Sequence, residues 1–228
     1  MKTNLIFLIA LFNCGILFGQ KILVVDIGHQ NRIEVGRALS IISSHHPRII
    51  GIDALYVADS LQRDTVLISS IKKGNVVMAA QLHYRDAPYP FWDSLELPHD
   101  KFLPRRIGFS HIYTDDGKPV LEIPIYESYK GKLLPSFSYQ VAQGAKPGFR
   151  LDLRSIRIDE SDISGDYPMV SLTDIIKGKF ENEDVENQIV LLGYAGQQLK
   201  IGKRSTKDIS RIQVQASFID YILKRYSN

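Results

Sequence analysis

Two acidic residues stand at the ends of apolar runs. Asp26 closes ILVVD in the stretch ILVVDIGHQNR (22–32), with Gly28 and His29 directly after it, and Asp53 closes RIIGID (48–53). Paired carboxylates of this kind can hold a divalent cation or hydrogen-bond a sugar or an amine. A histidine beside them can titrate near neutral pH or ligate a metal. In a parallel sheet the two strands are expected to lie side by side or nearly so, and open α/β sheets bind ligands beyond the carboxyl ends of their strands. Asp26, Gly28, His29 and Asp53 therefore form a candidate ligand-binding rim. Gln81, Gly193 and Tyr194 lie beyond other strand ends and are placed to complete it. Each has a structural alternative. Strand-end acids also cap helices or tie down loops, a lone histidine is an ordinary loop residue, and Tyr194 can pack its ring over Gly196.

The same stretch has the letters of several phosphate-handling sites but not their geometry. Sugar-kinase-like enzymes begin with Asp-x-Gly, and there the glycine joins two strands of a hairpin. Here a helical pattern starts at Asn31. A haloacid-dehalogenase phosphatase needs a second acid two residues after the first, and Gly28 occupies that position. A receiver domain would use strand-end acids with a lysine, but its phosphate donor is cytoplasmic. No Gly-x-Ser-x-Gly, His-Glu-x-x-His or Walker loop is present. Catalysis is not expected, and the alternative to hold against that is a metal-dependent hydrolase using Asp26, Asp53 and His29. The residues imply no cofactor.

The elements that must position these groups alternate strand and helix. Ile22 to Ile27 reads as a continuous apolar strand, the pattern of a strand buried on both faces. Asn31 to about Ser44 has helical spacing, and HHP (45–47) stops it. After the strand at 48–53, DSLQRDTVLISSIKKGN reads as a helix with Leu61, Val66, Leu67 and Ile71 inward, ended by Gly74; VVMAAQL (76–82) is the third strand. Short links between such elements imply right-handed crossovers and a parallel sheet covered by helices. From His83 to Arg106 four proline positions (Pro88, Pro90, Pro98, Pro104) and no periodicity suggest a surface excursion. Its rings Tyr84, Tyr89, Phe91 and Trp92 are a candidate partner surface, since aromatic side chains are favoured interface anchors. The alternative is a loop covering a core edge.

Residues 107–126 suggest two strands around a turn at Asp115-Asp116-Gly117, an antiparallel hairpin insertion. A helix is expected at or just after Pro135, a short strand at 154–158, a helix at 170–180 capped by Ser171, a buried strand at 187–193, and a closing amphipathic helix at 212–226. The fold class expected is α/β, with a mixed, mainly parallel sheet flanked by helices.

With 228 residues, 44% hydrophobic and 23% charged, the chain suits one domain with a full core. A net charge of +3, scattered rather than patched, gives no reason to expect nucleic-acid binding. MKTNLIFLIALFNCGILFGQ has one basic residue and an apolar run of about 14 residues from Leu5 to Phe18, short of the roughly 20 a spanning helix needs. It reads as a signal peptide over residues 1–20, cleaved near Gly19 or Gln20, which leaves residues 21–228 as the exported domain; the alternative is a retained N-terminal membrane anchor, with the domain outside the cytoplasm. The single cysteine, Cys14, lies in this run, so the processed chain would have no disulfide and no thiolate metal site. Phe12 and Asn13 stand where small residues would precede a lipidated cysteine.

The order of these motifs resembles the type-2 CHASE domain, an extracytoplasmic sensory module of bacterial membrane receptors. The resemblance covers nearly all of residues 22–225. It rests on ILVVDI followed by IIGIDALY, on IGFSHIYTDDGKPVLEIPIY with LPSFSYQVA after it, and on YPMVSLTDIIKGKFENEDVENQIVLLG. Two stretches depart from the family pattern. The link between first strand and first helix is only GHQNR, and SRIQVQA (210–216) replaces a closing motif of the type Pro-Gly-Val-x-x-His-Ala, with Gln215 at the histidine position. The resemblance implies an exported sensory or binding domain that recognises a small ligand or a membrane receptor without chemistry. With no output domain after residue 225, the expected reader is a separate membrane receptor, kinase or cyclase; a homodimer and an envelope scaffold docking through the aromatic excursion are further expectations.

Overall fold

The computed structural model describes residues 21–57, 64–84, 92–102, 104, 106–112, 122–196, 198–200 and 208–226. Its centre is a seven-stranded sheet. β1 (Ile22–Asp26), β2 (Ile49–Asp53), β3 (Val76–Tyr84), β4 (Trp92–Glu96) and β5 (Arg106–Phe109) belong to it, with two strands from the C-terminal half, Met169–Ser171 and Ile189–Gly193. Between them in the chain come β6 (Glu122–Pro124), β7 (Tyr126–Tyr129), β8 (Lys132–Pro135) and β9 (Ser155–Arg157), so the two late strands are β10 and β11. The order is β10-β1-β11-β2-β3, parallel throughout; β5 pairs parallel with β3 through Val77–Ala80 and β4 antiparallel with it through Gln81–Tyr84. The expected α/β class with a mixed, mainly parallel sheet is what the chain adopts.

Alternation along each strand divides the interior into two layers. Ile22 and Val24 of β1, Ile49 of β2 and Ile189 and Leu191 of β11 face one core; Leu23, Val25, Ile50, Ile52, Val190 and Leu192 face the other. Both faces are apolar because both are covered. Helices α1 (Arg32–Ser44), α2 (Thr65–Lys73) and α4 (Leu172–Ile176) pack on the second face. α3 (Phe137–Ala145) and the closing α5 (Arg211–Tyr226) pack on the first.

Local chemistry sets the helix ends. Asn31 caps α1: its Oδ1 accepts from the amides of Ile33 and Glu34 at 3.0 and 3.1 Å, and Glu34 returns a bond to the Asn31 amide at 3.1 Å. Ser136 caps α3, one residue after Pro135. The expected cap at Ser171 is present, its Oγ accepting from the Asp174 amide at 3.0 Å.

Several expectations are corrected by long-range pairing. The two strands anticipated as a hairpin at 107–126 exist as β5 and β6, yet they do not pair with each other. β5 joins the central sheet beside β3, while β6 pairs antiparallel with β9. The Asp115–Gly117 turn lies outside the described residues. The anticipated surface excursion begins as sheet: β3 runs on to Tyr84, and β4 returns along it. In α2, Val66 is 41% exposed and the inward set is Leu67, Ser70 and Ile71, while Leu61 lies outside the described residues. Two further short antiparallel pairs, β7 with β8 and β12 (Gln198–Lys200) with β13 (Asp208–Ser210), complete the described strands.

Candidate functional site

β11 lies between β1 and β2, so the first two strands are not neighbours. Asp26 pairs in register with Gly193, and Gly193 with Asp53, which places the two acids in one row about 9–10 Å apart, two strand spacings. The two side chains have separate partners: backbone amides for Asp26, and Ser110 with Arg211 for Asp53. Among the described residues no group of three or more His, Cys, Asp or Glu is arranged to hold a metal ion.

The connections leaving β11 and its neighbours go to opposite faces. β1 and β2 lead to α1 and α2 on one side, and β11 leads through β12 and β13 to α5 on the other. Such a reversal opens a crevice at the carboxyl ends of the strands. A cavity of about 170 Å³ occupies it, lined by Asp53 and the two residues after it, by Ala79, Ala80 and Gln81 of β3, and by Ser110, Tyr194 and Arg211.

A polar network forms the floor of this cavity. The Ser110 hydroxyl donates to Asp53 Oδ1. Arg211, the first residue of α5, reaches back so that its Nε lies 3.4 Å from Asp53 Oδ2, while its Nη2 donates to Ser110 Oγ at 2.9 Å and to the Ser110 carbonyl. Gln215, one turn further along α5, donates its amide towards Ser110 at 3.3 to 3.4 Å and accepts from the Ser138 hydroxyl. The Asp53 side chain is 6% exposed and that of Arg211 24%. The ion pair is thus shielded on the acid side and open to the cavity on the guanidinium side. A guanidinium has five donors in a fixed fork, and among the described residues only Asp53 and Ser110 accept from it, which leaves donors for a bound acceptor. His111, directly after Ser110, has its pKa lowered from about 6.5, first by burial and then by the Arg211 charge, with Glu127 opposing.

The residues of the expected rim divide into two groups. Asp53, Gln81 and Tyr194 line the cavity. Asp26 does not: its Oδ1 accepts from the amides of Gly28 and Ala195, both at 3.0 Å, and ties the exit of β1 to the exit of β11. Gly28 has φ +49, a turn conformation that glycine adopts without strain. Gly193 is a packing glycine, because a Cβ there would lie 2.7 Å from the Ile212 side chain of α5. His29 is exposed and its ring centroid is 6.0 Å from that of Tyr194. Tyr194 packs over Gly196, whose Cβ position would meet the phenol ring, and still exposes 43% of its surface beside the cavity.

Of the candidate partner surface, Tyr89 and Phe91 lie outside the described residues, and Tyr84 ends β3. Trp92 requires a correction. It is 8% exposed, packs with Leu82 and Phe109, meets the His111 ring edge-on at 5.1 Å and donates its indole N–H to Glu127 at 3.0 Å. Pairing of β4 with β3 turns this ring inward, so it is not an exposed anchor.

Ser110, Arg211 and Gln215 were absent from the sequence-based rim. Arg211 lies 158 residues from Asp53, and no local spacing links them. The available signal was the SRIQVQA stretch at the start of a helix, where a charged residue and two glutamines stand among apolar positions.

No curated protein and no solved structure matches the chain. The CHASE2 domain matches it over residues 25–228, nearly the whole length. The chain belongs to the CHASE2 domain family, whose members are extracytoplasmic sensory domains rather than enzymes.

Proposed function

We propose that this protein is an exported, non-catalytic sensory domain that binds a small polar ligand in the cavity beside Asp53 and Arg211. The observation that carries the reading is the Asp53–Ser110–Arg211–Gln215 network. It fixes a guanidinium at the mouth of a pocket at the fold's switch point, held from behind by an acid, a hydroxyl and a carbonyl, with the Gln215 amide bonded in turn to Ser110. A cavity of about 170 Å³ suits a ligand of amino-acid size, well below the usual range for drug-sized molecules. Its chemistry calls for a carboxylate or similar acceptor facing Arg211, with Gln81 and Tyr194 on the outer wall. The N-terminal segment is proposed to serve as a cleaved export signal. The bound state is read by a separate membrane receptor, kinase or cyclase.

A panel of small carboxylates and amino acids, followed by thermal melting and calorimetry, tests the site. One or more members should raise the melting temperature of the wild type and leave Arg211→Gln unaffected. Absence of any shift at millimolar concentration, or a shift that persists in Arg211→Gln, sinks the reading. The mass of the protein recovered from fractionated cells decides the processing: loss of residues 1–19 or 1–20 supports a cleaved signal, and an intact, membrane-bound chain refutes it.

A further inference from the structure

A second, larger cleft of about 820 Å³ lies at the opposite end of the sheet, where β3 and β5 begin. Three elements meet there. α2 contributes Lys72 and Lys73 from its last turn, β5 contributes Arg106 at its first position, and α3 contributes Gln140 and Gln143. No acidic residue lines the cleft, and Lys72, Lys73 and Arg106 form no ion pair among the described residues. Gln143 is committed to the Tyr139 hydroxyl and the Phe149 carbonyl, whereas the Gln140 amide has no hydrogen-bond partner among the described residues. A side lobe of about 230 Å³ shares Lys73, Gly74 and Asn75 with the cleft and reaches Ser43, whose buried Oγ has no partner among the described residues.

Lysines at a helix C-terminus complement the helix dipole, and that accounts for Lys72 and Lys73 taken alone. It does not account for an arginine from a strand and a free amide from another helix on the same walls, with no acid to balance them. Like charges crowded into one cleft repel, and a bound anion relieves that repulsion. A guanidinium with two ammonium groups and neutral amide donors is a set suited to phosphoryl oxygens, which accept bidentate bonds from arginine and point contacts from lysine.

We propose that this cleft is a second binding site, independent of the one beside Asp53, and that it takes a phosphate-bearing anion. The ligand's source is either a soluble phosphorylated molecule or the headgroup of an anionic phospholipid. Both present the same chemistry to Lys72, Lys73 and Arg106.

Two probes of the processed protein, residues 21–228, separate the sources: calorimetry with pyrophosphate, and cosedimentation with vesicles of phosphatidylcholine with or without phosphatidylglycerol. Pyrophosphate binding alone identifies a soluble ligand. Binding to phosphatidylglycerol vesicles but not to pure phosphatidylcholine identifies a headgroup. In either case Lys72→Gln and Arg106→Gln should each weaken binding about tenfold, and added salt should weaken it further. Arg37→Gln removes an exposed charge of α1 outside the cleft and should leave binding unchanged. Lys72 and Arg37 are exposed and Arg106 is half-buried, and an unchanged melting temperature verifies that each variant is folded. Binding of neither probe, or binding that Arg37→Gln weakens as much as Arg106→Gln does, overturns the proposal.

Discussion

Asp26 and Asp53 close parallel strands in the same row of the sheet, with only Gly193 between them, and the chain uses them in opposite ways. Asp26 is surrounded by backbone. Two amides, from Gly28 and Ala195, converge on one oxygen, so the carboxylate fixes the path of two loops. Asp53 is surrounded by side chains, a hydroxyl and a guanidinium that arrive from β5 and α5 and remain partly open to a cavity. An acid at a strand end therefore does not make a site. What decides is whether the neighbouring connections bring main chain or side chains to it.

The largest effect that would sharpen this contrast is expected from Asp53→Ala. Removing the acid leaves the Arg211 guanidinium and the Ser110 hydroxyl without their acceptor. Breaking a buried pair costs several kcal/mol, reduced here because Arg211 is 24% exposed, so about 2–3 kcal/mol by chemical denaturation is expected. Gly193→Val comes next, at about 2 kcal/mol from overpacking, because the new side chain meets Ile212 and displaces the start of α5 that carries Arg211. A Gly193→Val protein as stable as wild type would show that α5 is not seated by this contact. Asp26→Ala should cost about 1 kcal/mol, since the two amides it leaves are near enough to the surface to gain water. Equal losses from Asp26→Ala and Asp53→Ala would erase the distinction between the two ends.

The smallest expected effect is on pH dependence. The folded pKa of His111 lies below the ordinary value near 6.5, so the unfolded chain binds its proton first. This contribution to stability is complete above about pH 6.5 and falls away as the pH drops towards the folded pKa. His111→Gln should flatten the acid limb of the stability profile. In Arg211→Gln the His111 resonances should titrate at higher pH, because a repelling charge has gone. An unchanged titration would separate His111 from the Asp53 network and leave burial as the cause.

Much of this molecule was legible from local pattern. The apolar runs at 22–27, 48–53 and 187–193 became β1, β2 and β11; the helical pattern from Asn31 became α1, and Gly74 and Ser171 bounded helices where their chemistry indicated. These features depend on residues a few positions apart, so composition and spacing are enough to specify them. The sequence also singled out Asp53, Gln81 and Tyr194 as strand-end residues. It could not place β11 between β1 and β2, pair β5 with β3 instead of β6, or turn Trp92 inward. It could not bring Ser110 and Arg211 to Asp53 across as many as 158 residues, or Gln215 to Ser110 across 105. Those arrangements depend on which apolar faces cover one another across the two cores, a property of the whole chain. The sequence by itself determined the central strands β1, β2, β3 and β11, the helix ends at Gly74 and Ser171, and the two strand-end acids; only the tertiary packing decided which acid would face a guanidinium and which would hold a loop.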